Sequence, residues 1–370
     1  MKFSNLLKPV YPLLVLTIFM AGACNQDAIF HEISQQNKPL EARIKGNPSN
    51  MVVSERGGTP LLYVASGSSL HWYGKPKAGG NPGWDKDEYK IPNPKGDIRG
   101  LAATTTYLYA ATSSGLKRIA GTESDWTVIT TDSFQTVFAC EDKVFAGKGD
   151  DIWYLDEAST SHTLHQLRTD TGNLTGAAYN GTNYYVSTSK RIYKLPVSGF
   201  PNPVATESEN HDFKGMIRLE NADEEIVAIE RSGQLYLIST AGGISNSQKM
   251  NQYATTALAV WRGSAGTLPQ LLLAGRQESL ATGYTYGYQE LPLNNGKISG
   301  AFKEPGKGPP TSLNHGGNYT SSIGTHPVNH LFQAPPDVDP NMTLFASTQN
   351  AGLWSYRNHS SGGWHWNAEE

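Results

Sequence analysis

Side chains with reactive chemistry are few and widely spaced in this chain. Of its 370 residues only two are cysteines, Cys24 and Cys140. Cys140 closes the apolar stretch Phe134-Gln-Thr-Val-Phe-Ala-Cys140, where burial would keep a thiol protonated and inert. No Cys/His spacing of the kind that holds zinc occurs, and His71, His211 and His365 stand far apart. The closest pair is His326-Pro-Val-Asn-His330. A spacing of four would align both rings on a helix, but Pro327 opposes one, so both read as loop histidines without a metal. Asp150-Asp151 and Asp337-Val-Asp339 bring carboxylates together. Neither stretch supplies the roughly six to eight oxygens that calcium takes, and they read as a turn and a Pro-rich loop. No nucleophile elbow, zinc-protease helix or phosphate-binding glycine loop is present. The motifs therefore point to no catalytic nucleophile, no metal and no cofactor.

The elements that would position any site repeat along the chain. A short strand ending in small residues recurs as Tyr63-Val-Ala, Tyr109-Ala-Ala, Phe145-Ala-Gly, Tyr185-Val-Ser, Val227-Ala-Ile, Leu272-Leu-Ala274 and Phe345-Ala-Ser. The period is about 40 residues, and an insertion near 304–325 lengthens the last interval. In the clearest copy, Ile98–Thr104 is an inner strand and Tyr107–Thr112 the second. Leu116–Ile119 is the third and Trp126–Thr130 the outer one. A single blade of this kind buries neither face, whereas a closed ring buries both. The expectation is an all-β fold, a β-propeller of seven four-stranded blades over residues 48–370. Two closures are open: blades complete in sequence order, or residues near Leu40–Ile44 adding to the last blade. Arg99, Asp132 and Lys214 precede or begin inner strands and are the candidate channel-mouth residues. They come from different blades and mix sign, which suits either an active site or solvated polar groups. The copies Tyr109-Ala-Ala-Thr-Ser-Ser-Gly-Leu-Lys-Arg and Phe345-Ala-Ser-Thr-Gln-Asn-Ala-Gly-Leu-Trp resemble the blades of bacterial sensor and lipoprotein propellers. That resemblance covers most of residues 49–367 and implies the fold.

The first two dozen residues read as an address. Lys2 and Lys8 flank a short basic start, and Val10–Met20 is an uncharged apolar run. Its length suits a signal peptide and falls short of the roughly 20 residues a membrane-spanning helix needs. The following Ala21-Gly22-Ala23-Cys24 resembles the lipobox of bacterial lipoproteins, with Ala21 where the pattern usually has Leu. The resemblance implies cleavage after Ala23, removing a signal peptide of residues 1–23, and acylation of Cys24. A polar, flexible tether over 24–47 would then link the acylated cysteine to the propeller. The same Ala-Gly-Ala also fits an ordinary secretory cleavage site, leaving the chain unlipidated and secreted.

Charged residues are 17% of the chain and the net charge is −3, with no basic cluster, which argues against nucleic acid. The leading expectation is an exported lipoprotein held in a bacterial membrane through acylated Cys24, on the periplasmic or outer face. Its propeller would bind or scaffold a protein partner or a glycan. The alternatives are a propeller hydrolase or lyase with its site at the channel mouth, and a structural subunit of an envelope complex.

Overall fold

Each recurring Tyr-small-small segment is the second of four antiparallel strands. The computed structural model describes residues 42–157, 163–169, 171–202, 204–205, 211–221, 223–250, 252–263, 270–277, 287–305, 323, 326–359 and 363–369. Blade one is β1 (Val52–Arg56), β2 (Thr59–Ser66), β3 (Ser69–Gly74) and β4 (Gly83–Trp84), and blade two is β5 (Ile98–Ala103), β6 (Tyr107–Thr112), β7 (Gly115–Ala120) and β8 (Thr127–Thr130). Blade three is β9 (Thr136–Cys140), β10 (Lys143–Lys148), β11 (Asp151–Asp156) and β12 (Leu164–Arg168). Blade four is β13 (Leu174–Tyr179), β14 (Asn183–Thr188), β15 (Ile192–Pro196) and β16 (Val204–Ala205). Blade five is β17 (Phe213–Arg218), β18 (Ile226–Glu230), β19 (Gln234–Ile238) and β20 (Ile244–Lys249). Blade six is β21 (Ala254–Trp261), β22 (Leu271–Arg276), β23 (Tyr288–Asn294) and β24 (Lys297–Ile298). Blade seven is β25 (Val328–Gln333), β26 (Leu344–Thr348), β27 (Gly352–His359) and β28 (Gly363–Ala368). The seven four-stranded sheets form a ring, a β-propeller, and every sheet is built from strands consecutive in the chain.

The core is divided into wedges, one between each pair of neighbouring blades. The second strands explain this, because they are apolar on both faces. Leu108 and Ala110 of β6 pack toward blade one, while Tyr109 and Ala111 pack toward blade three. Likewise Leu61, Tyr63 and Ala65 of β2 face blade two, and Leu62 and Val64 face blade seven. All of these are buried, and each large side chain so buried stabilises by about 1.5–3 kcal/mol. Cys140 lies in the wedge between blades three and four, and burial pushes its thiol up to about 12.

The wedge between blades seven and one closes the ring. Tyr73, Trp84 and Phe345 form an aromatic trio with centroids 5.1–5.6 Å apart. The Tyr73 hydroxyl donates to Asp339 Oδ2 at 3.1 Å, and Trp84 Nε1 donates to Glu369 Oε2 at 2.6 Å. Both carboxylates are almost fully buried. Burial and these two acids push the Tyr73 phenol well above its usual range. Residues 42–47, at the end of the stretch read as a tether, are held on blade seven. Leu353 N donates to Ile44 O at 3.0 Å and Gly352 N to Gly46 O at 3.1 Å. Both closures weighed from the sequence thus contribute: the blades are complete in order, and the chain before β1 clasps the last one. Most of the insertion near 304–325 lies outside the described residues.

Asp339→Ala leaves the Tyr73 hydroxyl buried without its acceptor and is expected to cost about 2 kcal/mol. Adding Tyr73→Phe should restore part of that loss. Urea denaturation of the two single variants and the double variant measures the coupling.

Candidate functional site: the axial channel and its entrance

The first strands surround the axis, and successive ones pack directly on each other from β5 through β25. Five of them, β5, β13, β17, β21 and β25, carry a register shift near their start. A bulge leaves a residue unpaired and re-aims its side chain. In four of these strands that residue is Arg99, Thr175, Lys214 or Asn329; in β21 the shift spans Thr255–Ala257. The shift also breaks the two-residue alternation. Val328 and Leu331, three apart, therefore share the wedge between blades six and seven, and Ile98 and Leu101 share the one between blades one and two. Glycine follows the bulge where the next first strand comes closest. A Cβ at Gly176 would stand 2.9 Å from Met216 N, and one at Gly215 would stand 2.8 Å from Thr256 O.

The bulges give the face where the first strands begin a polar character. The three sequence-derived mouth residues all lie there, each with its own partner. Arg99 Nη1 donates to Ser133 Oγ at 2.8 Å. Asp132 pairs with Lys148 at 3.0 Å, and Lys214 with Asp212 at 2.8 Å. Arg99 and Asp132 thus sit close together on blades two and three, whereas Lys214 belongs to blade five. Lys214 lines a cavity of about 460 Å³ shared with Thr256, Gln277, Asn329 and Gln349. Hydroxyls tie its wall across blades: Thr256 Oγ1 donates to Asn329 O at 2.5 Å, and Thr255 Oγ1 donates to Val328 O.

Beyond Thr256 a second cavity of about 390 Å³ runs down the axis, walled by Met51, Phe138, Met216, Leu258, Leu331 and Phe332. His330 lines it too. The sequence reading placed His330 in a loop, but it belongs to β25, with the bulge at Asn329 setting its phase. Burial lowers its imidazole to about 4, with no charged neighbour opposing that. At the far end Arg262 forms an ion pair with Glu220, and its backbone N–H donates to Gln333 Oε1 at 2.9 Å. Among the described residues no group of three or more His, Cys, Asp or Glu could hold a metal. Nor is any helix among them long and apolar enough to cross a membrane.

No family model matches the chain, and no curated protein matches it in sequence. Solved structures do share its fold. The extracellular domain of the hybrid two-component system BT4673 from B. thetaiotaomicron is 14% identical with a TM-score of 0.59, over 87% of this chain and 39% of that one. A chain of the mitotic checkpoint complex is 10% identical with a TM-score of 0.57, over 87% and 94% of the two chains. The WD40 propeller of Doa1 is 10% identical with a TM-score of 0.55, over 87% and 98%. This chain therefore spans well under half of the BT4673 chain and nearly all of the other two. At these identities the likeness is one of fold.

Because the folded state holds His330 near 4 and an unfolded chain leaves histidine near about 6.5, the unfolded state takes the proton first as pH falls. Stability from this residue is complete above about pH 6.5 and is lost between there and about pH 4. Wild type should thus lose about 2 kcal/mol more than His330→Phe between about pH 7 and pH 4.5, as measured by chemical denaturation at the two pH values.

Proposed function

We propose that this chain is an exported bacterial lipoprotein, held at a membrane through acylated Cys24, whose propeller binds an envelope or extracellular partner. The binding surface is the face where the first strands begin. One observation carries the reading: five of the seven inner strands bulge near their starts, and the residues at those shifts include the polar Arg99, Lys214, Thr256 and Asn329. Bulges are enriched beside functional sites for this reason. The charges there stand in separate pairs, Asp132 with Lys148 and Lys214 with Asp212, which suits recognition of an extended polar surface. The two BT4673 structures among its neighbours are extracellular domains, a setting that agrees with the apolar run and Cys24 at the start of this chain. A protein or a glycan would serve as the partner.

Intact mass of the membrane-extracted native protein tests the anchor. A species beginning at Cys24 with added acyl mass, absent from Cys24→Ala, is the expected result. Cleavage at the same bond without acyl mass would make the chain a secreted propeller. The binding face is tested by photo-crosslinking residues placed on cells at Asn329 and, for comparison, at Val128 on outer strand β8. Adducts should form from Asn329 and not from Val128, and equal labelling at both would sink the assignment of that face.

A further inference from the structure

The axial bore differs in chemistry from the entrance above it. The entrance is lined by amides, hydroxyls and Lys214. The bore, about 390 Å³, has Met51, Phe138, Met216, Leu258 and Phe332 in its wall. That volume falls within the range of about 300–1,000 Å³ for pockets that hold small molecules, and in its wall these apolar side chains alternate with polar ones such as Asn50, Thr175 and Gln333.

Its polar groups narrow the ligand class. Glu220 and Arg262, the charged residues lining the bore, neutralise each other. His330 is the remaining titratable side chain on the wall, and its imidazole is uncharged down to about pH 4. Among the described residues its ring nitrogens have no hydrogen-bond partner, although it is only partly exposed. A neutral imidazole offers one donor and one acceptor, and in an apolar bore a partner for either is worth more than in water. The two methionines, Met51 and Met216, add an adaptable surface suited to an aromatic or aliphatic body.

We propose that the bore is a binding site for an uncharged small molecule with an apolar body and one group that hydrogen-bonds to His330. It enters from the polar end and lies along the axis, against residues of blades one and three to seven. This site goes beyond the macromolecular partner proposed above and does not depend on the lipid anchor, so either idea can fail alone.

Fluorescence titration of the full chain carrying Cys24→Ala tests it, with N-phenyl-1-naphthylamine as the neutral probe. One saturable site is expected. Its anionic relative 1-anilinonaphthalene-8-sulfonate should bind at least about tenfold more weakly, since a sulfonate meets no free cation in the bore. Met216→Trp and Thr256→Trp block the bore from two different blades and should each weaken the neutral probe by about tenfold or more, with circular dichroism unchanged. His330→Phe keeps the volume and removes the hydrogen bond, for a loss of about fivefold. The site is overturned by the absence of saturable binding, or by binding that both blocking variants leave intact. Equal affinity for the two probes would overturn the neutral ligand class, and an unaltered His330→Phe would remove His330 as the contact.

Discussion

Every blade here is apolar on both faces, and that requirement governs the rest of the structure. A sheet with Leu108 and Ala110 on one side and Tyr109 and Ala111 on the other has no face to give to water. It must be covered twice, and six stacked interfaces would still leave two faces bare. The seventh wedge, where Ile44, Met51, Leu62, Val64 and Trp84 meet Val338, Phe345 and Leu353, removes both at once. Phenol-to-carboxylate bonds also link blades two and three, at Tyr109 and Glu157, and blades three and four, at Tyr184 and Asp142, but here the acids are almost fully buried. Two buried carboxylates accept from a phenol and an indole across this wedge. Such groups are directional where apolar packing is not, so they set the angle at which the first and last blades meet.

That ring creates the axis, and the bulges decide what lines it. A regular strand would send alternate side chains into opposite wedges and leave the axis to whatever remained. One unpaired residue near the start of the strand changes the phase, so Val328 and Leu331 can both serve the core while His330 lines the channel. The same device places Lys214 and Asn329 at the entrance. Polarity therefore changes along the axis, from paired charges and amides at one end to thioethers and aromatic rings within.

Much of this was legible in the residues. The Tyr109-Ala-Ala and Phe345-Ala-Ser copies marked the second strands, because a strand covered on both faces must read as a continuous apolar run. Blade number and strand order followed from their spacing. The Cys140 thiol was recognisable as buried from its apolar neighbours. His330 was not placed correctly, since period-two reasoning cannot foresee a bulge at Asn329. Asp339 was read as part of a Pro-rich loop because its partner, Tyr73, lies 266 residues away, and no local pattern links them. Arg99, Asp132 and Lys214 stand at or before the starts of first strands, and their partners Ser133, Lys148 and Asp212 are matters of side-chain geometry that no local pattern carries.

The unexchanged strand order has a consequence for how the ring comes into being. In a propeller that completes one blade with strands from both termini, the first residues made must wait for the last. Here each blade is finished as soon as its own four strands have emerged. The vulnerable interval is of another kind. Leu62, Val64 and Trp84 on the outer face of blade one have no cover until Phe345, Leu353 and finally Glu369 exist. For nearly the whole of synthesis the nascent protein carries one greasy, correctly folded surface that later residues alone can hide, the kind of surface that recruits chaperones or invites aggregation.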